Sequence, residues 1–337
     1  MEELIDLYVD ICRRIGPWTD WTQGAGGNIS VKNNTHLIVK QSGTRIVDAS
    51  RDHGYTICDL NKVKNAIINN DENIKSTVID QGDIRTPSIE TYLHSFDAPI
   101  IVHLHPAPLM NILCPNEGHH EYKISSTKPE LPVLPDNIVW IDYYKPGLPL
   151  AHALALKWKP NTLCYFFKNH GILIPGKTIT DILNVMQYLT DTFIAQPITR
   201  ISFVSQIYDF IKEKYNKSMI IKPWKDAGSR VTEKVFLPHT PDFIVFLQET
   251  PLCFEYDPPD INGKLTKYIS TFNKLPTIIY YKDVAYMCAS TMQQCYDLQE
   301  ILASYLPISH RSSYLTQEQI YEITSWDREK ERKAMNH

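Results

Sequence analysis

The sequence predicts an α/β protein with a mainly antiparallel central sheet, followed by a smaller α/β unit. Two observations carry this. Strand-like runs and amphipathic helices alternate, but without the regular strand–helix–strand spacing that a parallel sheet demands. The 337 residues suit one large domain or two ordinary ones, and the character of the chain changes after Pro197.

The elements follow in order. Residues 2–15 read as an amphipathic helix, with Leu4, Ile5, Leu7, Tyr8, Ile11 and Cys12 near helical spacing. A glycine-rich turn over 23–27 feeds a strand at Ile29–Val31, and a second strand at Leu37–Lys40 ends at Ser42-Gly43. Residues 55–63 read as a strand and turn. Pro87 suits the first turn of a helix, where its missing N–H costs nothing, with Thr86 as N-cap and Glu90 on that helix. Buried strands are expected at 99–105 and 137–141, and a short helix at 149–156. Strands at 163–167 and 172–174 flank a His-Gly turn, and a long helix covers 179–195. Beyond Pro197 come a helix at 203–215 and a linker-like stretch, Lys222–Ser229. Strands at 243–247, 277–281 and 285–289 and a helix at 292–304 complete the smaller unit. The expected division is residues 1–221 and 222–337.

Composition narrows the function classes. A hydrophobic fraction of 43% and a charged fraction of 21% are those of a soluble globular protein. A net charge of -4, with no Lys/Arg cluster, argues against a nucleic-acid surface. No apolar run approaches the roughly 20 residues that span a bilayer. The acidic start, Met1-Glu2-Glu3, lacks the basic region of a signal peptide. Seven cysteines without a C-x-x-C pair fit a reducing compartment, so a cytoplasmic protein is expected.

The chemistry concentrates at three places. In Ile100-Ile101-Val102-His103-Leu104-His105 the alternation of a strand puts His103 and His105 on one face. His170, in Lys168-Asn169-His170-Gly171, is a candidate third imidazole, and Glu90 supplies a carboxylate upstream. Three imidazoles and an open position suit catalytic zinc, with manganese or cobalt also compatible. The bland readings are two strand histidines without metal and a first-turn carboxylate favoured by the helix dipole. His94, four residues after Glu90 on the expected helix, reads as structural or as a support for the site; His119-His120 read as exposed in a polar loop. Gly171–Thr178 formally fits the P-loop pattern G-x-x-x-x-G-K-[ST]. Its three successive aliphatics favour a strand over a phosphate-wrapping loop.

Taken together, Gly26-Gly27-Asn28-Ile29-Ser30, Lys40-Gln41-Ser42-Gly43, Ser88-Ile89-Glu90, His103-Leu104-His105 and His170-Gly171 fall in the order of the class II aldolase/adducin family. The resemblance covers roughly residues 1 to 200. Its finer flavour is similar to the aldolase half of bifunctional rhamnulose-phosphate aldolase/dehydrogenases, which read Ser-Ile-acid where fuculose-phosphate aldolases read Ser-Ser-Glu. Residues after 200 also resemble the segment that follows in those enzymes, and the chain stops where their dehydrogenase domain begins, without a dinucleotide fingerprint.

The resemblance implies a three-layer aldolase-like domain and a metal-dependent aldolase acting on a short ketose or ketose phosphate. His103, His105 and His170 would hold the ion, which stabilises the enediolate, and Glu90 would move the proton. Asn28, Ser42, Gly43 and Ser88 match positions that hold a substrate phosphate, through short side chains and exposed amides. Turn chemistry alone would also explain them. Ile89 removes one hydroxyl from that set, and Lys40 is a candidate to compensate. Related reactions in the family are 4-epimerisation, dehydration and decarboxylation; an adducin-like scaffold is the non-catalytic alternative. The family also implies a homotetramer, a sugar or sugar-phosphate partner, and a tyrosine donated by a neighbouring subunit, for which Tyr143 and Tyr144 are candidates.

Overall fold

The computed structural model describes residues 1–79, 86–114, 136–195, 198–224, 238–241, 243–247, 251–254, 260–305 and 314–325. Helices α1 (Glu2–Ile15) and α2 (Leu60–Ile68) and strands β1 (Asn28–Lys32), β2 (His36–Lys40) and β3 (Tyr55–Asp59) open the chain. Strand β4 (Ile100–Leu104), the short helix α3 (Met110–Leu113), strand β5 (Ile138–Ile141) and helix α4 (Leu148–Lys157) follow. Strands β6 (Cys164–Phe167) and β7 (Gly171–Gly176) lead to helix α5 (Ile179–Phe193). Contacts then divide the chain into two compact units, Met1–Pro197 and Ile198–His337.

In the first unit seven strands form one sheet in the order β3-β2-β1-β4-β7-β6-β5. Every neighbouring pair is antiparallel except β5 and β6. The mainly antiparallel α/β architecture expected from the sequence is therefore present. Strand β4 lies near the middle of the sheet, and all five of its residues are buried. That explains its unbroken apolar run, interrupted only by His103. One face of the sheet packs Leu37, Val39, Ile101, Tyr165, Phe167 and Leu173 against α2 and α4, which contribute Val63, Ala66, Ala151 and Leu154. Helix α1 carries Glu2 and Glu3 in its first turn and Arg13 and Arg14 in its last, matching the helix dipole at both ends. Its buried stripe is Tyr8, Ile11, Cys12 and Ile15.

The second unit contains α6 (Ile201–Tyr215), β8 (Ile220–Trp224), β9 (Leu252–Phe254), α7 (Ile261–Phe272), β10 (Ile278–Tyr281), β11 (Val284–Ala289), α8 (Met292–Tyr305) and α9 (Gln317–Ser325). Its four strands pair in the order β8-β11-β10-β9.

Four local expectations are corrected. Residues 86–90 do not open a helix. Backbone pairing outweighs the local signs, and residues 86–88 run beside the end of β2. There the Ser42 amide donates to the Thr86 carbonyl at 2.8 Å and the Ser88 amide to the Lys40 carbonyl at 3.3 Å. The stretch read as strand and turn after Tyr55 becomes β3 and then α2, with Asp59 accepting from the amides of Asn61 and Lys62. The linker-like stretch begins as β8, paired with β11 from Ile220↔Ala289 to Trp224↔Ala285; Lys225–Ser229 lie outside the described residues. The run Phe243–Leu247 forms a π-helical turn, not a strand, an ambiguity inherent in a short apolar run.

The P-loop reading fails on geometry. Gly171–Gly176 is strand β7, and Asp181 Oδ2 accepts from the amides of Lys177 at 3.0 Å and Thr178 at 2.8 Å. The Thr178 amide, together with the Asp181 amide donating to Thr178 Oγ1 at 3.1 Å, closes a capping box at the start of α5. Replacing the cap, Thr178→Ala, should lower stability by ~1 kcal/mol, read as a lower thermal midpoint with secondary structure retained.

Candidate metal centre

Register brings the histidines together. On β4, His103 faces Asn28 of β1 on one side and Leu173 of β7 on the other. His105 lies just beyond the strand end. The hairpin from β6 to β7 turns through Asn169, in the left-handed region at φ 54, a conformation asparagine tolerates. The Asn169 amide is anchored on the Leu113 carbonyl at 2.7 Å and the His170 amide on the Phe167 carbonyl at 3.2 Å. This places His170 over the end of β4. Close approach requires glycine here: a Cβ on Gly171 would strike the Leu104 carbonyl oxygen and stand 2.8 Å from His105 Cδ2. From the opposite side, a Cβ on Gly26 would stand 3.0 Å from His105 Nδ1. The His-Gly and Gly-Gly motifs are thus walls around one imidazole.

The result is a convergence of Glu90, His103, His105 and His170, each with one ligand-type atom, all within 4.8 Å of one another. His105 Nε2 lies 3.1 Å from His103 Nε2. Glu90 Oε1 lies 2.9 Å from His170 Nε2 and 3.4 Å from His103 Nε2. His103 Nδ1 sits 2.8 Å from the Ile172 carbonyl, which can only accept. That carbonyl assigns a proton to Nδ1, so Nε2 is the nitrogen that faces the other donors and the one His103 would offer to an ion. Two imidazole nitrogens at such a distance need a proton or a cation to be shared between them. The donor set fits a divalent ion.

Electrostatics agree. Burial, reinforced by His103, pushes the His105 imidazole down to about 3, so it is neutral at ordinary pH and free to ligate. Burial alone would raise the Glu90 carboxyl, but charge and hydrogen bonding from His103 and His170 outweigh it and hold the group far below the usual carboxylate range. Glu90 is therefore an anion, although it is only 8% exposed.

The remaining candidates fall in three groups. Asn28 is fully buried, and neither its Oδ1 nor its Nδ2 finds a hydrogen-bond partner among the described residues. An amide in that state beside His103 is poised for a ligand or water. Ser42 and Ser88 are brought to neighbouring segments by the pairing of Gln41 with Pro87, and Gly43 is exposed at φ 79 with open space around it. Lys40 does not reach toward an anion. It is 3% exposed, and its ammonium donates to the carbonyls of Ala25 and Thr44, both at 2.9 Å. It pins together the two loops that carry the glycines and Ser42-Gly43. Burial lowers its affinity for the proton, with Glu90 acting against that. Ile89, Tyr143 and Tyr144 are exposed, and His119-His120 lie outside the described residues. The Ile172 carbonyl escaped sequence reasoning because a backbone group carries no side-chain signal.

The family model for the class II aldolase and adducin N-terminal domain matches residues 6–196, more than half of the chain, and the chain belongs to that family. No curated protein matches it. Among solved structures, it is similar to the N-terminal class II aldolase domain of a conserved protein from Thermoplasma acidophilum. The identity there is 23%, over 61% of this chain and 93% of that one, with a TM-score of 0.46. It is also similar to L-fuculose-1-phosphate aldolase from Thermus thermophilus, at 13% identity over 64% and 98% of the two chains and a TM-score of 0.35. A sugar-phosphate aldolase from Thermotoga maritima matches at 13% identity over 61% and 94%, with a TM-score of 0.39. No described helix is long and apolar enough to cross a membrane.

Purified protein should carry about one divalent ion per chain by elemental analysis, lost in His103→Ala and in His170→Ala. Stoichiometric metal surviving in both variants would remove the assignment. A second expectation concerns the wall: Gly171→Ala should destabilise the protein by ~1–3 kcal/mol, as overpacking does, and lower metal occupancy with it.

Proposed function

We propose that this chain is a metal-dependent aldolase, a carbon–carbon lyase acting on a short ketose or ketose phosphate. The observation that carries the reading is the convergence of Glu90 Oε1 on the same small volume as the Nε2 atoms of His103 and His170, with His105 Nε2 beside them. His103, His105 and His170 would hold Zn2+, with Mn2+ or Co2+ as substitutes. Such an ion supplies Lewis acidity to a substrate carbonyl and its neighbouring hydroxyl.

The protein's own residues do the rest. Glu90 is ionised and largely buried beside the cluster. With His103 and His170 turned to an ion, their hold on the carboxylate would ease and leave it to take a proton from, and return it to, the carbon next to the carbonyl. Its contact with two imidazoles lets it rest against the site between proton transfers. The Asn28 amide, buried and without a hydrogen-bond partner among the described residues, would orient a substrate oxygen. Ser42, Gly43 and Ser88 would receive the phosphate with hydroxyls and amides; Lys40, occupied by carbonyls, holds their loops in place and leaves the phosphate to them. Ile89 in place of a second serine is what the bifunctional rhamnulose-phosphate enzymes share, and it favours that flavour of substrate. An adducin-like scaffold has no use for an intact donor set of this kind. The family's assembly extends the reading to a homotetramer with Tyr143 or Tyr144 at a neighbour's site, so light scattering should find an oligomer and not a fully active monomer.

Release of dihydroxyacetone phosphate or lactaldehyde from a panel of ketose phosphates tests the reaction directly. With an active substrate in hand, Glu90→Gln should keep its metal and lose ~100- to 10,000-fold in turnover, the usual worth of general acid–base catalysis. A near-normal rate would take Glu90 out of the mechanism. Loss of the metal would make it a ligand instead.

A further inference from the structure

Glu90 sits at the entrance of a single 3-10 turn, Thr91–His94. So short a turn has little stability of its own. Within it the Leu93 amide donates to the Glu90 carbonyl at 2.9 Å, and the Glu90 amide donates to Ser88 Oγ at 3.3 Å. The segment before it is tied to the end of β2, and its middle is held by Tyr92 and Leu93 in the core, with the Tyr92 hydroxyl donating to the Asp71 carbonyl at 2.9 Å.

The far end of the turn is bolted to β1. His94 is fully buried, its Nδ1 lies 2.8 Å from Ser30 Oγ, and the Lys32 ammonium donates to the His94 carbonyl at 2.8 Å. Ser30 and Lys32 share a face of β1 with Asn28, by the two-residue alternation of a strand. Asn28 in turn stands opposite His103 in the sheet. One strand therefore links the end of the turn that carries Glu90 to the strand that carries His103. Burial, with the charges of His103 and Lys32, pushes the His94 imidazole well below its ordinary range, so the ring is neutral. An aliphatic side chain would fill this interior position without the desolvation cost of an imidazole. The ring is outside the four-donor cluster and is left unused by the reaction derived above.

We propose that His94 is a positioning residue: its bond to Ser30 fixes the turn that aims the Glu90 carboxylate into the histidine cluster. The inference rests on the role given to Glu90 under the proposed function.

A double-mutant cycle separates this role from simple packing. His94→Leu keeps bulk and removes the bond to Ser30. It should lower kcat at least tenfold, in the range of losses seen when outer partners of a metal site are removed. In a Glu90→Gln background the same change should cost less than threefold, because the residue it acts through is already disabled. His94→Asn, whose amide can stand near Nδ1, should recover kcat to within about threefold of wild type. Losses that multiply, a drop smaller than tenfold in His94→Leu, or no recovery in His94→Asn would each overturn the proposal. If His94→Leu does not fold, Ser30→Ala carries the same cycle with the same expectations. If the wild-type protein cleaves no ketose phosphate, the reading of the reaction fails separately. The cycle is then read on the imidazole NMR signals of His103 and His170 in metal-free protein, the rings that Glu90 Oε1 touches. His94→Leu should shift them in the wild-type background and leave them in place in Glu90→Gln. Unshifted signals, or the same shift in both backgrounds, would overturn the proposal.

Discussion

The pairing of β4 with β7 is the constraint on which the centre hangs. It sets Leu104 opposite Ile172 and so delivers the Ile172 carbonyl to His103 Nδ1 and His170 to the end of β4. A slip of one residue would turn His103 to the other face. It would also withdraw the carbonyl that decides which nitrogen of that ring carries the proton. The glycine at 171 follows from the same constraint, since its segment approaches Leu104 and His105 too closely for a side chain.

Charge balance follows from the placement. Imidazoles bind a metal in their neutral form, so a divalent ion held by the three histidines beside the Glu90 carboxylate would leave one positive charge facing the substrate. Lys40, two residues before Ser42, donates to the Ala25 and Thr44 carbonyls. Specificity for an anionic substrate would then come from neutral donors and the ion together, an arrangement in which shape counts for more than attraction at a distance.

Much of the centre was legible in the sequence because its residues announce themselves by type and spacing. A His-x-His on an apolar run is visible without a fold, and so is a His-Gly turn. The mainly antiparallel sheet could be read from the lack of regular strand–helix–strand spacing. Less legible was what depends on partners distant in the chain. Residues 86–90 carry the local signs of a helix start, yet backbone pairing with the end of β2 extends residues 86–88, and only a single 3-10 turn follows at Thr91–His94. Lys40 looks like a free cation next to Ser42-Gly43, and only the folded loops show carbonyls closing around its ammonium. Helix α7, Ile261–Phe272, was missed beside a short edge strand, although Asp260 caps it by accepting from the Gly263 amide. His94 was placed on a helix it does not form, while its burial and its link to Ser30 belong to the packing of the turn against β1.

The donors at Glu90, His103, His105 and His170 are gathered by strands that are neighbours in space and far apart in sequence. During synthesis the ribosome delivers His103 and His105 well before His170 and Ile172. A nascent chain at that stage has two imidazoles, no third, and no carbonyl to fix the ring proton of the first. Metal capture would therefore come late, as a seal on a nearly finished sheet and not as a seed for it. Loops of this length close slowly, so the first unit must reach its topology on hydrophobic burial alone. The ion would then add its binding free energy to the whole unit at once, about 2.7 kcal/mol when free metal stands at a hundred times its dissociation constant.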